Sequence, residues 1–128
     1  MDTSVTFIKM CEKAEKIQKI HQWEVGDWSW DITNKEWNIL CPACHNYEHY
    51  PMSMYIWLPR QDQLQEMVGE KSSGRLLYEF HYWYINHLVG VPIGENEKYY
   101  FLMSMEQLWL AFVMKEKYNK IWNGTDWK

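Results

Sequence analysis

The sequence predicts an α+β fold, in which a small three-stranded antiparallel sheet packs against about four helices. Two observations predict this class. Three short segments in the first half of the chain have the alternating apolar pattern of strands, and longer segments carry apolar residues at the three-and-four spacing of a buried helix face. The 128 residues contain no repeat, linker or low-complexity segment, so a single domain over residues 1–128 is expected.

The strand pattern is clearest in a tryptophan-rich stretch. There, Trp37, Ile39 and Cys41 alternate with polar or smaller residues, as in a half-buried strand. Thr33-Asn34-Lys35 suits a hairpin turn before them, because Asn34 tolerates the left-handed conformation. The three predicted strands cover residues 27–32, 36–41 and 53–58.

The helices are marked by their periodicity and by their start and stop residues. Residues 5–20 place apolar side chains on one stripe, with Thr3 or Ser4 as the capping residue. Ser104 and Gln107 have the spacing of a capping box and open a helix that the pattern continues to Trp122. The other predicted helices are 60–68, which follows Pro59 and stops at Gly69, and 75–89, which follows Ser72 or Ser73 and stops at Gly90 and Pro92.

The charge balance and the absence of targeting signals indicate where the protein acts and which class of partner it binds. The chain has 17 acidic and 13 basic residues, a formal charge of −4, and no basic run that would follow a phosphate backbone. No segment reaches the about 20 apolar residues of a membrane span, and the N-terminal residues lack the apolar core of a signal peptide. We therefore expect a cytoplasmic protein without membrane association, and a protein partner in preference to a nucleic acid.

The stretch Cys41-Pro-Ala-Cys44-His45 contains the densest chemistry of the sequence. Its Cys-x-x-Cys-His spacing is that of c-type haem attachment, but covalent attachment requires export and the chain shows no export signal. A thioredoxin-type pair would need a helix after the first cysteine, and the residues that follow have no helical period. The sequence therefore predicts no haem and no redox pair here.

A zinc site is the sharper alternative for the same segment. Cys41, Cys44 and His49 have the Cys-x2-Cys-x4-His spacing of a zinc knuckle. The fourth ligand position is Met54, and a thioether is a poor zinc ligand. The competing interpretation, which we favour, is a polar loop whose cysteines pack as small apolar residues and which holds no cofactor.

Signatures of catalysis are absent from the sequence. It contains no Gly-rich phosphate loop, no His-Glu-x-x-His and no Gly-x-Ser-x-Gly. Glu79, His81 and His87 lie on one predicted helix, but the two histidines are six residues apart and fall on different faces. The sequence therefore predicts a protein that is not an enzyme.

The tryptophans exceed what one small core requires. A sheet has two faces, and if one packs on helices the other can present an aromatic patch to a partner. Self-association through such a patch is the simplest case. Five tryptophans fall on or beside the predicted strands: Trp23, Trp28, Trp30, Trp37 and Trp57.

Four segments together resemble a known group of proteins. FIKMCEKAEKIQ, GDW, WLPRQDQLQEMV and SMEQLWLAFVMKEKYNKIWNG, in this order, are similar to small proteins of unknown function encoded by phages and prophages of Gram-positive bacteria. The resemblance implies an accessory phage protein in the cytoplasm of the bacterial host, and no activity or cofactor comes with it. We expect it to act by binding another protein; the alternative is a zinc-containing nucleic-acid-binding module that uses Cys41, Cys44 and His49.

Overall fold

The computed structural model describes residues 1–41, 52–89 and 103–128. It confirms the α+β class, since these residues form a three-stranded antiparallel sheet and five α-helices. The backbone divides into two compact units, Met1–Arg60 and Gln61–Lys128. The sheet belongs to the first unit, and the single-domain assignment stays a prediction.

The first unit begins with two short helices where the sequence predicts one helix over residues 5–20. Helix α1 covers Val5–Lys13 and helix α2 covers Glu15–Ile20. The side chain of Ser4 accepts a hydrogen bond from the backbone of Phe7 and caps α1, as predicted. The helix breaks at Ala14, whose ψ of 53° leaves the helical region, while its N–H donates to the carbonyl of Cys11. The prediction of one continuous helix is therefore wrong, although the buried stripe continues through the break to Ile17.

The sheet follows, in the order β2-β1-β3. Both neighbours of β1 run antiparallel to it, so β1 is central and the other two strands are edges. The three strands lie within or close to the predicted segments: β1 is Trp28–Asp31, β2 is Glu36–Ile39 and β3 is Tyr55–Leu58. Helix α1 packs against β3.

The hairpin between β1 and β2 is closed by the carboxylate of Asp31. Its Oδ1 accepts from the backbone N–H groups of Thr33 at 2.8 Å and Asn34 at 2.9 Å, and its Oδ2 accepts from the Asn34 side chain. The left-handed residue is Lys35, with φ of 60°, and not Asn34 as predicted. The amide of Asn34 is used to hold the Asp31 carboxylate, so the next residue takes the unfavourable conformation.

The described part of the second unit contains three helices and a π-helical turn. Helix α3 covers Gln61–Met67, and Gly69 follows it with φ of +98°. Helix α4 covers Ser73–Tyr84, is capped by the Ser72 side chain, and continues into the π-helical turn Ile85–Val89. The predicted stop at Gly90 and Pro92 lies outside the described residues.

Helix α5 is shorter than predicted. It covers Met105–Tyr118, and the Ser104 side chain caps it by accepting from Gln107 N–H, as the capping box predicts. It ends at Asn119 in the left-handed conformation, with φ of 52°, and does not continue to Trp122. Trp122 instead pairs with Trp127 across a turn that contains Gly124, and the two buried rings lie 5.0 Å apart. The contact between these two rings favours ending the helix early, although the periodicity of the sequence would allow it to continue.

The core of the second unit is aromatic. The ring of Phe80 on α4 stacks on Trp109 of α5 at 4.1 Å between centroids, and Phe112 meets Phe80 and Trp109 edge to face. Trp83 completes the cluster beside Phe80 and Phe112. Such contacts favour association beyond the area they bury, so these rings help to hold α4 and α5 together.

Candidate functional site

One face of the sheet is made entirely of apolar side chains. Residues paired directly across neighbouring strands project to the same side, as do alternate residues along a strand. Trp28 is paired with Ile39 and Leu58, and Trp30 is paired with Trp37 and Ile56. Six apolar side chains therefore share this face.

The exposure of this face increases from β3 towards β2. Leu58 and Ile56 on β3 are 0% and 7% exposed, the tryptophans of β1 are half-buried, and Trp37 and Ile39 on β2 are 52% and 43% exposed. The rings of Trp28 and Trp37 touch, with centroids 5.1 Å apart. We call the open part of the face, formed by Trp28, Trp30, Trp37 and Ile39, the β2 surface.

The two edges of the sheet are treated differently by the rest of the unit. At the β3 edge, the side-chain amide of Gln18 on α2 accepts from the N–H of Trp57 at 2.9 Å and donates to its carbonyl at 2.9 Å. The same amide nitrogen also donates to the carbonyl of Cys11 at 3.2 Å. Because the amide pairs with the backbone as a neighbouring strand would, this edge is closed at Trp57.

At the β2 edge, the outward positions are Trp37 and Ile39. The N–H of Leu40 donates to the carbonyl of Asp27 on the β1 side, and residues of an antiparallel strand alternate in direction, so Asn38 also faces β1 while Trp37 and Ile39 face outwards. Within the described ranges, no hydrogen bond from outside the sheet reaches the backbone of these two residues. The residues with outward backbone groups are thus the ones with the most exposed side chains on this face of the sheet.

A buried polar cluster fixes the start of β1. Gly26 and Asp27 together face Leu40, with Gly26 at φ of +91°, which is the arrangement of a β-bulge that needs glycine. The Asp27 carboxylate is fully buried and accepts from the N–H of Glu24, and it lies 2.7 Å from Nε2 of His21. The guanidinium of Arg60 donates to the carbonyl of Gly26 at 3.1 Å. The bulge therefore turns the Asp27 side chain inwards, towards His21. From the sequence alone, His21 is recognised only as the end of the apolar stripe of the first predicted helix.

The histidine of this pair is used in packing. The ring of His21 stacks on that of Trp57 at 3.5 Å between centroids, with 4° between the planes. The Nε1 atom of Trp57 is buried and has no hydrogen-bond partner among the residues that the structure describes. The His21–Asp27 pair thus anchors α2 and the bulge to β3, and we assign it a structural role.

The residues of the predicted zinc site are only partly within the described ranges. Cys41 follows β2, is half-buried and is disulfide-bonded, so the prediction that it packs merely as a small apolar residue is wrong. Cys44 and His49 lie outside the described residues. Met54, at the fourth ligand position, is 40% exposed. Cys11 is a buried free thiol on α1, and burial raises its pKa well above the ordinary value. Among the residues that the structure describes, no three His, Cys, Asp or Glu side chains are grouped so that they could hold a metal ion.

The five tryptophans that fall on or beside the predicted strands lie in three different environments. Trp28, Trp30 and Trp37 share the apolar face, Trp57 projects to the opposite face and is buried, and Trp23 lies outside the strands against the ring of His21. The sequence does not identify Gln18 or Asp27 as important. The Gly26-Asp27 pair before a strand is the one local signal of a bulge that could have found Asp27.

Comparisons with protein-family models, with curated proteins and with solved structures find no match for this chain. No described helix is long and apolar enough to cross a membrane.

Proposed function

We propose that this chain is a non-enzymatic protein-binding domain, and that the β2 edge takes up an extended segment of its partner. The observation that carries the proposal is the coincidence of two features in β2. Trp37 and Ile39 have both the outward backbone groups of an open edge and exposed apolar side chains.

Strand addition uses these two features for different purposes. Backbone hydrogen bonds to the added strand supply affinity, and side chains on alternate positions supply specificity. A partner strand beside β2 would place its own alternate residues against Trp37 and Ile39 and extend the apolar face. Aromatic residues are enriched at the centres of protein interfaces, and the formal charge of −4 disfavours a phosphate backbone as the partner.

A second copy of the chain is the simplest partner, because β2 is self-complementary in register. Antiparallel pairing with Asn38 of each copy on the two-fold axis places Trp37 opposite Ile39 of the other copy, twice. These positions carry the outward backbone groups, so the backbone pairs and the apolar pairs form in the same register. Glu36 falls opposite Leu40 of the other copy, so its charge meets no like charge directly across the strands.

The setting of the proposal comes from the sequence resemblance. A small accessory protein of a phage or prophage, working by protein binding in the cytoplasm of the bacterial host, is consistent with one compact binding surface. The resemblance itself stays a prediction.

Sedimentation velocity over a wide concentration range tests the proposal. We expect the wild-type protein to self-associate as concentration rises, and Trp37→Lys and Ile39→Pro to remain monomeric. Trp37→Lys removes the exposed ring, and Ile39→Pro removes an outward N–H without breaking the bonds to β1. The matched control is Ile20→Lys, since Ile20 is 58% exposed but lies at the end of α2.

The outcomes separate the partner from the mode of binding. A wild-type protein that stays monomeric rules out a second copy as the partner. In that case, a pull-down from the host must retain a partner protein on the immobilised wild type and on Ile20→Lys, but not on Trp37→Lys. Self-association that survives both β2 variants, or retention that is insensitive to Trp37→Lys, would contradict the proposed surface.

A further inference from the structure

A cavity in the second unit is lined by aromatic and charged side chains. It has a volume of about 260 Å³ and lies between α4, the π-helical turn and the end of α5. Its aromatic lining comes from Tyr78, Tyr82, Trp83 and His87. The volume is below the about 300–1,000 Å³ of pockets for drug-sized ligands, so the cavity fits a head group or a single side chain.

The aromatic rings present polarisable faces at an accessible site. Tyr78 and Tyr82, one helical turn apart, are stacked with centroids 6.3 Å apart and are 67% and 59% exposed. Trp83, in the same lining, is buried at 6% exposed. Ring faces carry negative electrostatic potential and attract cations, tryptophan and tyrosine most strongly.

The π-helical turn orients the fourth ring. Nδ1 of His87 lies 3.0 Å from the carbonyl oxygen of Trp83. A carbonyl only accepts, so the hydrogen-bond pattern assigns the proton of a neutral ring to Nδ1 and leaves Nε2 as an acceptor. π-Helical turns occur frequently at functional sites, and this one places a hydrogen-bond acceptor in the lining.

The lining contains three charged groups. Two are acids, Glu79 and Glu116, and one is a base, Lys115. Lys115 and Glu116 lie in the last turn of α5, where the helix dipole also favours positive charge.

These three groups differ in how far they are already satisfied. Lys71 and Arg75 bind the carboxylate of Glu79, and Lys115 donates to the side chain of Asn119. Glu116 is exposed and has no hydrogen bond or ion pair with any residue in the described ranges. The carboxylate of Glu116 is therefore available to a ligand.

We infer that this cavity binds an organic ammonium group, with Tyr78, Tyr82 and Trp83 contacting its methyl or methylene groups and Glu116 balancing its charge. The inference is independent of the β2 surface, which belongs to the first unit.

Titration by NMR with choline as the probe tests the inference. The comparison ligand is 3,3-dimethyl-1-butanol, which has the shape of choline without its charge. We expect choline to bind about two- to five-fold more tightly than the neutral analogue, the size of an exposed cation–π contact. The acetyl amide of trimethyllysine, titrated in parallel, distinguishes a protein side chain from a free small molecule by which of the two binds more tightly.

Variants locate the binding. Tyr82→Leu and Glu116→Gln should each weaken choline binding by about two- to five-fold, while Glu12→Gln, an exposed acid on α1, should leave it unchanged. Both sites are exposed enough for the fold to tolerate the change, which circular dichroism checks. Equal binding of the neutral analogue, tighter binding of acetate, insensitivity to both variants, or no binding of choline would each overturn the inference.

Discussion

The closure of the β3 edge by Gln18 can be tested by removing its amide. In Gln18→Ala, the N–H and the carbonyl of Trp57 lose the partners they now have at 2.9 Å each, and the carbonyl of Cys11 loses one at 3.2 Å. Trp57 is 3% exposed, so its two backbone groups are left without replacements inside the protein. Each orphaned buried group costs about 1–3 kcal/mol.

The expected loss in the free energy of unfolding is about 2–4 kcal/mol for the pair of groups. It lies at the lower end of the sum because Gln18 is only half-buried, so water can reach part of the vacated space, and because alanine is the better helix former by a few tenths of a kcal/mol. A loss of this size is a large share of the about 5–15 kcal/mol that typically stabilises a folded protein.

Urea unfolding of three variants measures this loss. Gln18→Glu keeps an acceptor for the Trp57 N–H but has no donor for its carbonyl, so it should also destabilise the fold. Gln22→Ala is the matched control, since Gln22 is exposed and has no hydrogen bond with any other described residue. If Gln18→Ala stays within about 0.5 kcal/mol of Gln22→Ala, the range of ordinary surface substitutions, the reasoning about a closed edge is refuted.

Four further expectations follow from particular residues. The pKa of Asp31 is held below its usual range, first by the hydrogen bond from the Asn34 N–H. Its carboxylate should therefore stabilise the fold above about pH 4, and this stabilisation should be lost as the pH falls through the lowered pKa. Urea unfolding of the wild type and of Asp31→Asn at a series of pH values should show the two free energies of unfolding converging in acid. Gly26→Ala should cost about 1–3 kcal/mol, because φ is +91° and the strain lies in the backbone alone, while Gly74→Ala, in α4 with open space around it, should gain about 0.5–1 kcal/mol by thermal or urea unfolding. The thiol of Cys11 should not react with a thiol reagent until the protein unfolds, which a colour assay with and without urea checks. For the zinc alternative, metal analysis of protein purified without a histidine tag should find no stoichiometric metal; zinc that disappears in Cys41→Ser would favour that alternative instead.

The sheet could be predicted from sequence because its signals are local. Alternation of apolar residues and a polar turn between Trp30 and Trp37 place β1 and β2 within a residue or two of their bounds. The pattern carries no information on which residue of the turn adopts a positive φ. That choice depends on Asp31 and Asn34 bonding to each other, which leaves Lys35 in the left-handed conformation.

The helix ends were predicted less well, because tertiary contacts decide them. Ala14 has a high helix propensity, yet α1 ends there and α2 turns so that Gln18 reaches β3. Similarly, the periodicity through Trp122 suits a helix, but the contact of that ring with Trp127 favours ending α5 at Asn119. Trp57, which bonds to Gln18, and Trp127, which contacts Trp122, each lie more than one helical turn along the chain from the helix end that they determine.

The residue types of the β2 surface could be predicted from sequence, but the edge of the sheet that stays open could not. The excess of tryptophan predicts an aromatic patch on one sheet face, and the register places Trp28, Trp30 and Trp37 there. Which edge is open could not be predicted, because that depends on one glutamine amide meeting a strand 39 residues away. A Gln on the polar flank of a helix has no sequence feature that distinguishes this use from solvent exposure.

Under the proposed pairing of β2 edges, the short helix α2 would also limit how large an assembly of this chain can grow. If only the β2 edge is open, pairing between two copies uses the same edge on both and closes at a dimer. Helix α2 has six residues, too few to be stable without its contacts to β3. If α2 detached, the β3 edge would open as well, and copies joined β2 to β3 could add without end, as in a fibre. Under the proposed pairing of β2 edges, the Gln18 amide would thus prevent polymerisation as well as stabilise the fold.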